Sequence, residues 1–220
     1  MARYDNQEKF EGIGDKSGEL REKTIMIVGV GGLGSVVADM LHREGLNIRI
    51  IDKGRIKLED MQRQTIYTIE DENRFKAKQI KKQLEEINPK NTVKTFHEEL
   101  NNHHLFLLDK ADIVIDCSNN LKTNKMIGDY IKKKKPLITC KYAGSEGVIF
   151  ISDRKHYFKD VLKKFEKVGD IKKKGAISAA PHLAAGIIVS QALKTLVGQE
   201  ITDNLITFDV WKDRVRRVSI

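Results

Sequence analysis

Four glycines in one turn are the first residues of this chain whose spacing suggests chemistry. Gly29, Gly31 and Gly34 form the pattern G-x-G-x-x-G, and Gly32 lies within it. The pattern follows a β-branched apolar run and precedes a stretch with helical periodicity. Glycines there let the backbone approach a phosphate, and the N-terminus of the helix supplies N–H donors and a favourable dipole. The turn therefore predicts a nucleotide phosphate site.

Asp52 supports this prediction. It ends the next apolar run, 18 residues after Gly34, where a carboxylate can accept hydrogen bonds from ribose hydroxyls. By itself this pattern favours NAD. An NAD-dependent oxidoreductase would need a second region for its substrate and for hydride transfer, and the rest of the chain supplies no motif for one. That class remains an alternative.

Two cations beyond Asp52 favour ATP over NAD. Arg63 follows the second apolar run, and Lys76 lies at the start of the next periodic stretch. Positive side chains at these places suit the β- and γ-phosphates of a triphosphate, whose charge must be neutralised. Arg63 and Lys76 are therefore the candidate catalytic residues.

Alternating apolar runs and periodic stretches indicate the elements that carry these residues. The predicted strands are 24–28, 47–51, 93–97, 111–116 and 136–140, and the predicted helices between them are 35–44, 75–87 and 123–132. Such alternation predicts an α/β fold with a doubly wound, mostly parallel, Rossmann-like sheet.

The last third of the chain has a different pattern. The predicted elements there are strands 147–152, 205–210 and 214–220, and a helix over 181–196. We predict a small antiparallel C-terminal extension, about 146–220, joined to a nucleotide-binding core, about 20–145, in one domain over 1–220. Between the strands lies a lysine-rich stretch, 154–174, and its charged end, 170–175, is predicted to be a mobile loop.

Composition limits the class of protein. The chain has 220 residues, of which 40% are hydrophobic and 32% charged, as expected for a packed globule. The net charge is +9, with lysine runs at 132–135 and 172–174 that suit phosphates or an acidic partner. Few aromatic residues accompany the lysines, which disfavours nucleic-acid binding. No long apolar run or signal peptide is evident, so we expect a cytoplasmic protein without a membrane partner.

The cysteines and one histidine suggest no further chemistry. Cys117 and Cys140 are the only cysteines, and no CxxC pair exists, so we expect no zinc. Each ends an apolar run, which predicts a small buried thiol. His182 lies in an apolar stretch and is interpreted as a packing residue rather than a base.

The chain resembles the E1-like adenylating enzymes, the group of ThiF, MoeB and the adenylation domain of ubiquitin-activating enzymes. The matching motifs are Arg3-Tyr4-x-x-Gln7, VGVGGLGS at 28–35, RIID at 49–52, MQRQT at 61–65, Lys76, INP at 87–89, DCSNN at 116–120 and ALKTLVG at 192–198. The resemblance implies binding of ATP and Mg²⁺, attack of a substrate carboxylate on the α-phosphate, and release of pyrophosphate. It also implies a homodimer.

The resemblance assigns roles to individual residues. It implies that Asp52 holds the ribose and that Arg63, Gln64 and Lys76 contact phosphates. It further implies that Asn119 and Asn120 lie at the nucleotide.

Three positions depart from the family pattern. Asn6 replaces an arginine of the opening motif, and Glu59-Asp60-Met61 replaces Ser-Asn-Leu. Asn119 stands where the family has the aspartate that binds magnesium, which leaves Asp116 as the candidate Mg²⁺ ligand in this motif. These departures keep a non-catalytic nucleotide-binding partner as an alternative.

The family resemblance leaves two kinds of substrate open. The chain lacks the zinc motifs and the crossover cysteine common among relatives that activate carrier proteins. In this it resembles the E1-like enzymes of Fe-hydrogenase cofactor assembly, which implies a guanylylpyridinol carboxylate as substrate and a separate acceptor protein that forms a thioester. The alternative substrate is the C-terminal Gly-Gly of a ThiS- or MoaD-like sulfur carrier. In the first case, the lysines at 172–174 would hold an anionic ligand.

Overall fold

Eight strands form one sheet in the computed structural model, which describes residues 3–132, 134–152, 156–201, 204–218 and 220. The strands are β1 (Thr24–Val28), β2 (Asn47–Ile51), β3 (Val93–Phe96), β4 (Ile113–Asp116), β5 (Leu137–Ala143), β6 (Glu146–Ile151), β7 (Leu205–Asp209) and β8 (Arg214–Val218). Their order is β3-β2-β1-β4-β5-β6-β7-β8. Pairing is parallel from β3 to β5 and antiparallel from β5 to β8. The predicted fold class is confirmed.

Eight α-helices accompany the sheet in the described part of the chain. They are α1 (Asp5–Lys9), α2 (Ser17–Glu22), α3 (Gly34–Arg43), α4 (Lys76–Ile87), α5 (Leu121–Ile131), α6 (Phe158–Lys167), α7 (Ile171–Lys174) and α8 (Ala179–Leu196). Short 3-10 turns include Leu58–Asp60 and Ile69–Asp71.

The position of β1 decides where a ligand can bind. β2 and β4 flank this strand, so the direction in which the chain winds reverses there. In sheets of this kind a crevice opens beyond the carboxyl ends of the strands at the reversal point. The glycine turn follows β1, Asp52 follows β2, and Asp116 ends β4. The fold therefore brings the glycine turn, Asp52 and the end of β4 to one crevice.

Helices cover both faces of the sheet. On one face, α3, α4 and α8 share a core with the central strands through residues such as Val37, Ile80 and Ile188. On the other face, α5 packs against β1 and β4, and α6 packs against β5 to β7. Strands buried on both faces explain the uninterrupted apolar runs of β1 and β4.

The lysine-rich stretch is more ordered than its composition suggests, and the prediction for its end needs correction. Residues 170–175 were expected to be a loop, but they contain α7, whose N-cap is Asp170. Helix α6 was missing from the predicted elements. Its lysines face outward, while Phe158, Val161 and Phe165 recur at helical spacing and are buried. Some residues of the predicted segments lie outside the described ranges. They are the two basic residues at 154 and 155, Lys133 of the first lysine run, and Ser219 of the last predicted strand.

Within the described ranges, no helix has both the length and the apolar character needed to cross a membrane.

Candidate functional site

The glycine turn is held by main-chain contacts that leave little freedom. Gly29 has a φ of +84°, and its N–H donates to the Ile51 carbonyl, 2.9 Å away. A Cβ on Gly34 would lie 1.9 Å from the Gly29 carbonyl oxygen, so only glycine fits there. A Cβ on Gly31 would meet no heavy atom of the described chain within 4 Å. One side of the turn is thus packed, and the other side is open to a ligand.

Asp52 connects this turn with the loop after β2. Its carboxylate accepts hydrogen bonds from the N–H groups of Val30, at 2.7 Å, and Gly54, at 2.5 Å. The Tyr67 hydroxyl donates to the Val30 carbonyl at 3.0 Å, and burial raises the pKa of that hydroxyl well above its usual value. Each carboxylate oxygen has a second lone pair, so Asp52 can hold the turn and still accept from a ribose hydroxyl.

Arg63 and Lys76 meet at one carboxylate, that of Asp60. Arg63 Nη2 lies 3.1 Å from Asp60 Oδ1, and Lys76 Nζ lies 2.9 Å from Asp60 Oδ2. The three side chains are 24%, 12% and 8% exposed, in the order Arg63, Lys76, Asp60. The Lys76 N–H also donates to the Gly54 carbonyl, which holds the start of α4 beside the Asp52 loop.

This charged cluster adjoins the glycine turn. A Cβ on Gly32 would lie 3.2 Å from Arg63 Cγ and 3.0 Å from the Tyr142 hydroxyl oxygen. The structure therefore brings together Arg63, Lys76, Asp52 and the four glycines, as sequence reasoning predicted. Asp60 appeared in the sequence only as a departure from a family pattern, and its carboxylate turns out to be the contact that joins the two cations.

Gln64 and Asn120, two of the remaining three residues of the predicted nucleotide set, have main-chain roles beside the site. Gln64 is 2% exposed, its N–H donates to the Asp60 carbonyl, and its Oε1 is buried without a hydrogen-bond partner in the described chain. Asn120 is the N-cap of α5, and its side-chain oxygen accepts from the N–H groups of Lys122 and Thr123. In this structure, Gln64 offers little surface to a nucleotide, and Asn120 starts a helix beside the site.

Asn119 joins two strand ends. It has a φ of +54°, its Nδ2 donates to the Tyr142 carbonyl at 3.0 Å, and its Oδ1 accepts from the Tyr142 N–H at 2.9 Å. An asparagine side chain matches this donor and acceptor pair, whereas a carboxylate offers only acceptors. Tyr142 was not predicted from sequence. Burial raises the pKa of its hydroxyl, and the nearby Arg63 charge opposes that rise.

Asp116 does not fit the predicted role of magnesium ligand. Its side chain is completely buried and accepts hydrogen bonds from the Ser118 N–H, from Asn124 Nδ2 at 2.6 Å and from Thr139 Oγ1 at 3.3 Å. Burial raises the pKa of Asp116, and these hydrogen bonds oppose the rise. No oxygen of this carboxylate reaches the crevice. Within the described residues, no group of three or more His, Cys, Asp or Glu side chains could hold a metal ion.

The two thiols are buried, and His182 is half-buried at the start of α8. Cys117 and Cys140 are free and buried, and burial raises the pKa of both thiols. The His182 ring contacts the Ser178 carbonyl oxygen through Nδ1 at 2.8 Å, within the first turn of α8. A thiolate nucleophile is thus disfavoured at both cysteines.

Residues 170–177, which we name the crossing segment, lie beside the site. The Gly144 N–H donates to the Gly175 carbonyl, and the Ile177 N–H donates to the Gly144 carbonyl. Gln62 Nε2 donates to the Ala176 carbonyl at 3.3 Å. The crossing segment therefore connects the turn between β5 and β6 with the loop that carries Arg63.

The sequence profile of the ThiF family matches residues 4–220. The chain belongs to the ThiF family. This result confirms the predicted membership of the E1-like adenylating group.

Relatives within the ThiF family are named as adenylyltransferases. The chain is 31% identical to the sulfur carrier protein ThiS adenylyltransferase of Bacillus subtilis, over 96% of this chain and 66% of that protein. It is 24% identical to the molybdopterin-synthase adenylyltransferase of Haemophilus influenzae, over 99% of this chain and 89% of that protein. The chain thus spans slightly less than two thirds of the length of the Bacillus relative.

Solved structures share the fold of this chain. E. coli MccB, crystallised with MccA-N7isoASN, superposes with a TM-score of 0.84 at 17% identity, over 97% of this chain and 70% of that one. A crystal structure of PaaA gives a TM-score of 0.81 at 20% identity, over 99% and 72% of the two chains. At these identities the likeness concerns the fold.

Proposed function

We propose that this chain is an ATP-dependent adenylyltransferase, and that residues 1–220 act as one adenylation unit. The substrate is a carboxylate, and the products are its acyl-AMP and pyrophosphate. The observation that carries the proposal is the convergence at one carboxylate of Arg63, from the loop that adjoins the glycine turn, and Lys76, from the start of α4. Two partly buried cations next to a phosphate-binding turn suit a triphosphate.

The proposed chemistry needs no general base, because an ionised carboxylate is already a nucleophile. One carboxylate oxygen attacks the α-phosphorus of ATP, and the bond from that phosphorus to the oxygen bridging the β-phosphate breaks. The electron pair leaves with pyrophosphate, where Arg63 and Lys76 stabilise the added negative charge. Asp52 and the glycine turn fix the ribose and the α-phosphate so that the attack is in line.

Nucleotide preference tests the first part of this proposal. We expect titration calorimetry to give tight binding of ATP and weak binding of NAD, because NAD lacks the terminal phosphates that pair with Arg63 and Lys76. Equal or tighter binding of NAD would favour the oxidoreductase alternative. Binding of ATP without pyrophosphate release, whatever carboxylate is offered, would favour the non-catalytic partner.

For the substrate, we propose a small anionic carboxylate of the guanylylpyridinol type, a precursor of the Fe-hydrogenase cofactor. Support comes from charges on and beside the crossing segment. Lys172 and Lys173 are exposed on this segment. A cavity of about 350 Å³ beside the start of β6 is lined by more cations than carboxylates: Lys164, Lys167, Lys212, Arg214 and Arg216 against Glu146 and Asp209. These cations suit a ligand that carries a phosphate as well as its carboxylate.

The acyl group would then pass to a separate acceptor protein. This step is part of the same proposal because Cys117 and Cys140 are buried, and burial raises the pKa of each thiol. A buried thiol with a raised pKa forms little thiolate at neutral pH and does not readily accept an acyl group.

Activation of a sulfur carrier protein is the second candidate function, and the names of the relatives favour it. Pyrophosphate release separates the two candidates. We expect release when ATP is supplied with the pyridinol-type carboxylate, and little release with a ThiS- or MoaD-like protein that ends in Gly-Gly. A variant of that carrier without its last glycine is the matched control. Rapid adenylation of the intact carrier would return the assignment to sulfur-carrier activation.

We further propose that the chain acts as a homodimer. Phe10 is 62% exposed, and α8 leaves apolar side chains half-buried on its outer side, including Leu183, Ile187 and Leu193. A second copy that covers this surface would remove apolar area from water, which favours association. Light scattering after size-exclusion chromatography should give twice the mass of the chain. A monomer at micromolar concentration would contradict this.

A further inference from the structure

The geometry points to a role for Asp60 as an internal counter-ion of the phosphate site, one that a polyphosphate must displace. In this role Asp60 lowers the affinity for ATP and speeds the departure of pyrophosphate. The inference rests on the proposed function, because it assumes that Arg63 and Lys76 receive phosphates.

The first observation is the sharing of one carboxylate by both cations. Each oxygen of Asp60 takes one of them, Oδ1 with Arg63 at 3.1 Å and Oδ2 with Lys76 at 2.9 Å. Together with Asp52, these groups place two positive and two negative charges beside the glycine turn. The cluster is therefore balanced in charge before any nucleotide arrives.

The second observation is burial. The Asp60 side chain is 8% exposed, so water screens its charge much less than it would at the surface. A phosphate oxygen that approaches Arg63 or Lys76 meets the same carboxylate at short range. It must take the cations from Asp60, or else share them at the cost of repulsion between like charges. When pyrophosphate leaves, Asp60 is in place to pair with both cations again.

Asp71 shows what the same local structure does without the second cation. Like Asp60, it ends a 3-10 turn, accepts from the N–H three residues earlier, and pairs with an arginine three residues later, Arg74 at 3.4 Å. Its side chain is 4% exposed. No lysine pairs with Asp71 in the described chain. Capping the turn therefore explains a buried aspartate at either place, but it does not explain why Asp60 also holds Lys76.

The test is a titration of the full-length protein with pyrophosphate and with ATP, in EDTA so that no divalent cation shields the phosphates. The variants are Asp60→Asn, which keeps an oxygen acceptor for the Lys57 N–H, and the matched control Asp71→Asn. We expect Asp60→Asn to bind pyrophosphate at least about tenfold more tightly than wild type, with slower dissociation, because one negative charge beside the phosphates is gone. Asp71→Asn should bind as wild type does.

Each other outcome has a stated meaning. If wild type binds both ligands and Asp60→Asn binds them equally or more weakly, the counter-ion role is overturned and the proposed function stands. Equal tightening by Asp71→Asn also overturns it, because the effect is then one of net charge. If no folded variant binds either ligand, the proposed function and this inference both fail. Should Asp60→Asn melt early, Asp60→Ser removes the same charge with a smaller acceptor.

Discussion

The two sides of the crevice are built differently. On the nucleotide side, the charged groups are held by partners within the fold. Asp52 accepts hydrogen bonds from two main-chain N–H groups, and Asp60 pairs with both cations. On the side of the crossing segment, the lysines are exposed, and Lys174 pairs with Glu146 at the surface. Charges held in place suit the proposed ligand ATP, which is the same for every substrate. Exposed lysines can be replaced by other residues without loss of the fold. Substrate choice is therefore expected to depend on the second side.

On the nucleotide side, the largest difference in stability is expected between variants of Gly34, which is closely packed, and Gly31, which is open. Gly34→Ala puts a methyl group 1.9 Å from the Gly29 carbonyl oxygen, so the turn must move. We expect a loss of about 3 kcal/mol or more in the free energy of unfolding, measured by urea denaturation. Gly31→Ala meets no atom of the described chain and should retain its stability while losing ATP affinity. Similar stability of the two variants would contradict this account of the turn.

Arg63→Ala tests the fixed charges. We expect a loss of about 2 kcal/mol in ATP binding by calorimetry, because a charge-assisted phosphate contact is removed from a partly buried site. Arg74→Ala is the matched control, since Arg74 pairs with Asp71 in the same local structure, and its described hydrogen bonds go to Asp71 and Ile56 rather than to the glycine turn. An equal loss in the two variants would mean that net charge, rather than placement, governs binding.

Asn119→Asp tests the join between the strand ends. Aspartate keeps the acceptor for the Tyr142 N–H but loses the donor to the Tyr142 carbonyl. Its second carboxylate oxygen then lies against that carbonyl oxygen. We expect a loss of about 1–2 kcal/mol in the free energy of unfolding, with no new metal requirement for ATP binding. A variant of unchanged stability that binds ATP only with Mg²⁺ would instead indicate that position 119 faces the metal.

Charge reversal on the crossing segment should have the smallest effect on nucleotide binding. In the double variant Lys172→Glu, Lys173→Glu, we expect ATP affinity to stay within about 0.5 kcal/mol of wild type, since exposed charges are well screened. The KM for the anionic carboxylate should rise severalfold in the pyrophosphate release assay. A larger effect on ATP binding than on KM would reverse the assignment of the two sides.

Local spacing explains why much of the site could be predicted. The glycine turn, Asp52, Arg63 and Lys76 lie at fixed distances from strand ends, and a parallel sheet brings such ends to one crevice. The contacts of Asp116 and Asn119 could not be predicted, because their partners lie on other elements whose packing the local sequence does not fix: Asn124 on α5 and Tyr142 on β5. The same limit explains the missed helix α6, where lysines hide three apolar residues that only packing reveals.

The sheet has two open edges, β3 and β8, and the one at β8 has a consequence for assembly. This five-residue strand carries three exposed arginines: Arg214, Arg216 and Arg217. Two copies aligned edge to edge would bring these arginines together, and like charges across a strand pair are destabilising. These charges therefore disfavour extension of the sheet at the β8 edge. The homodimer proposed above is accordingly expected to use a helical surface rather than this edge.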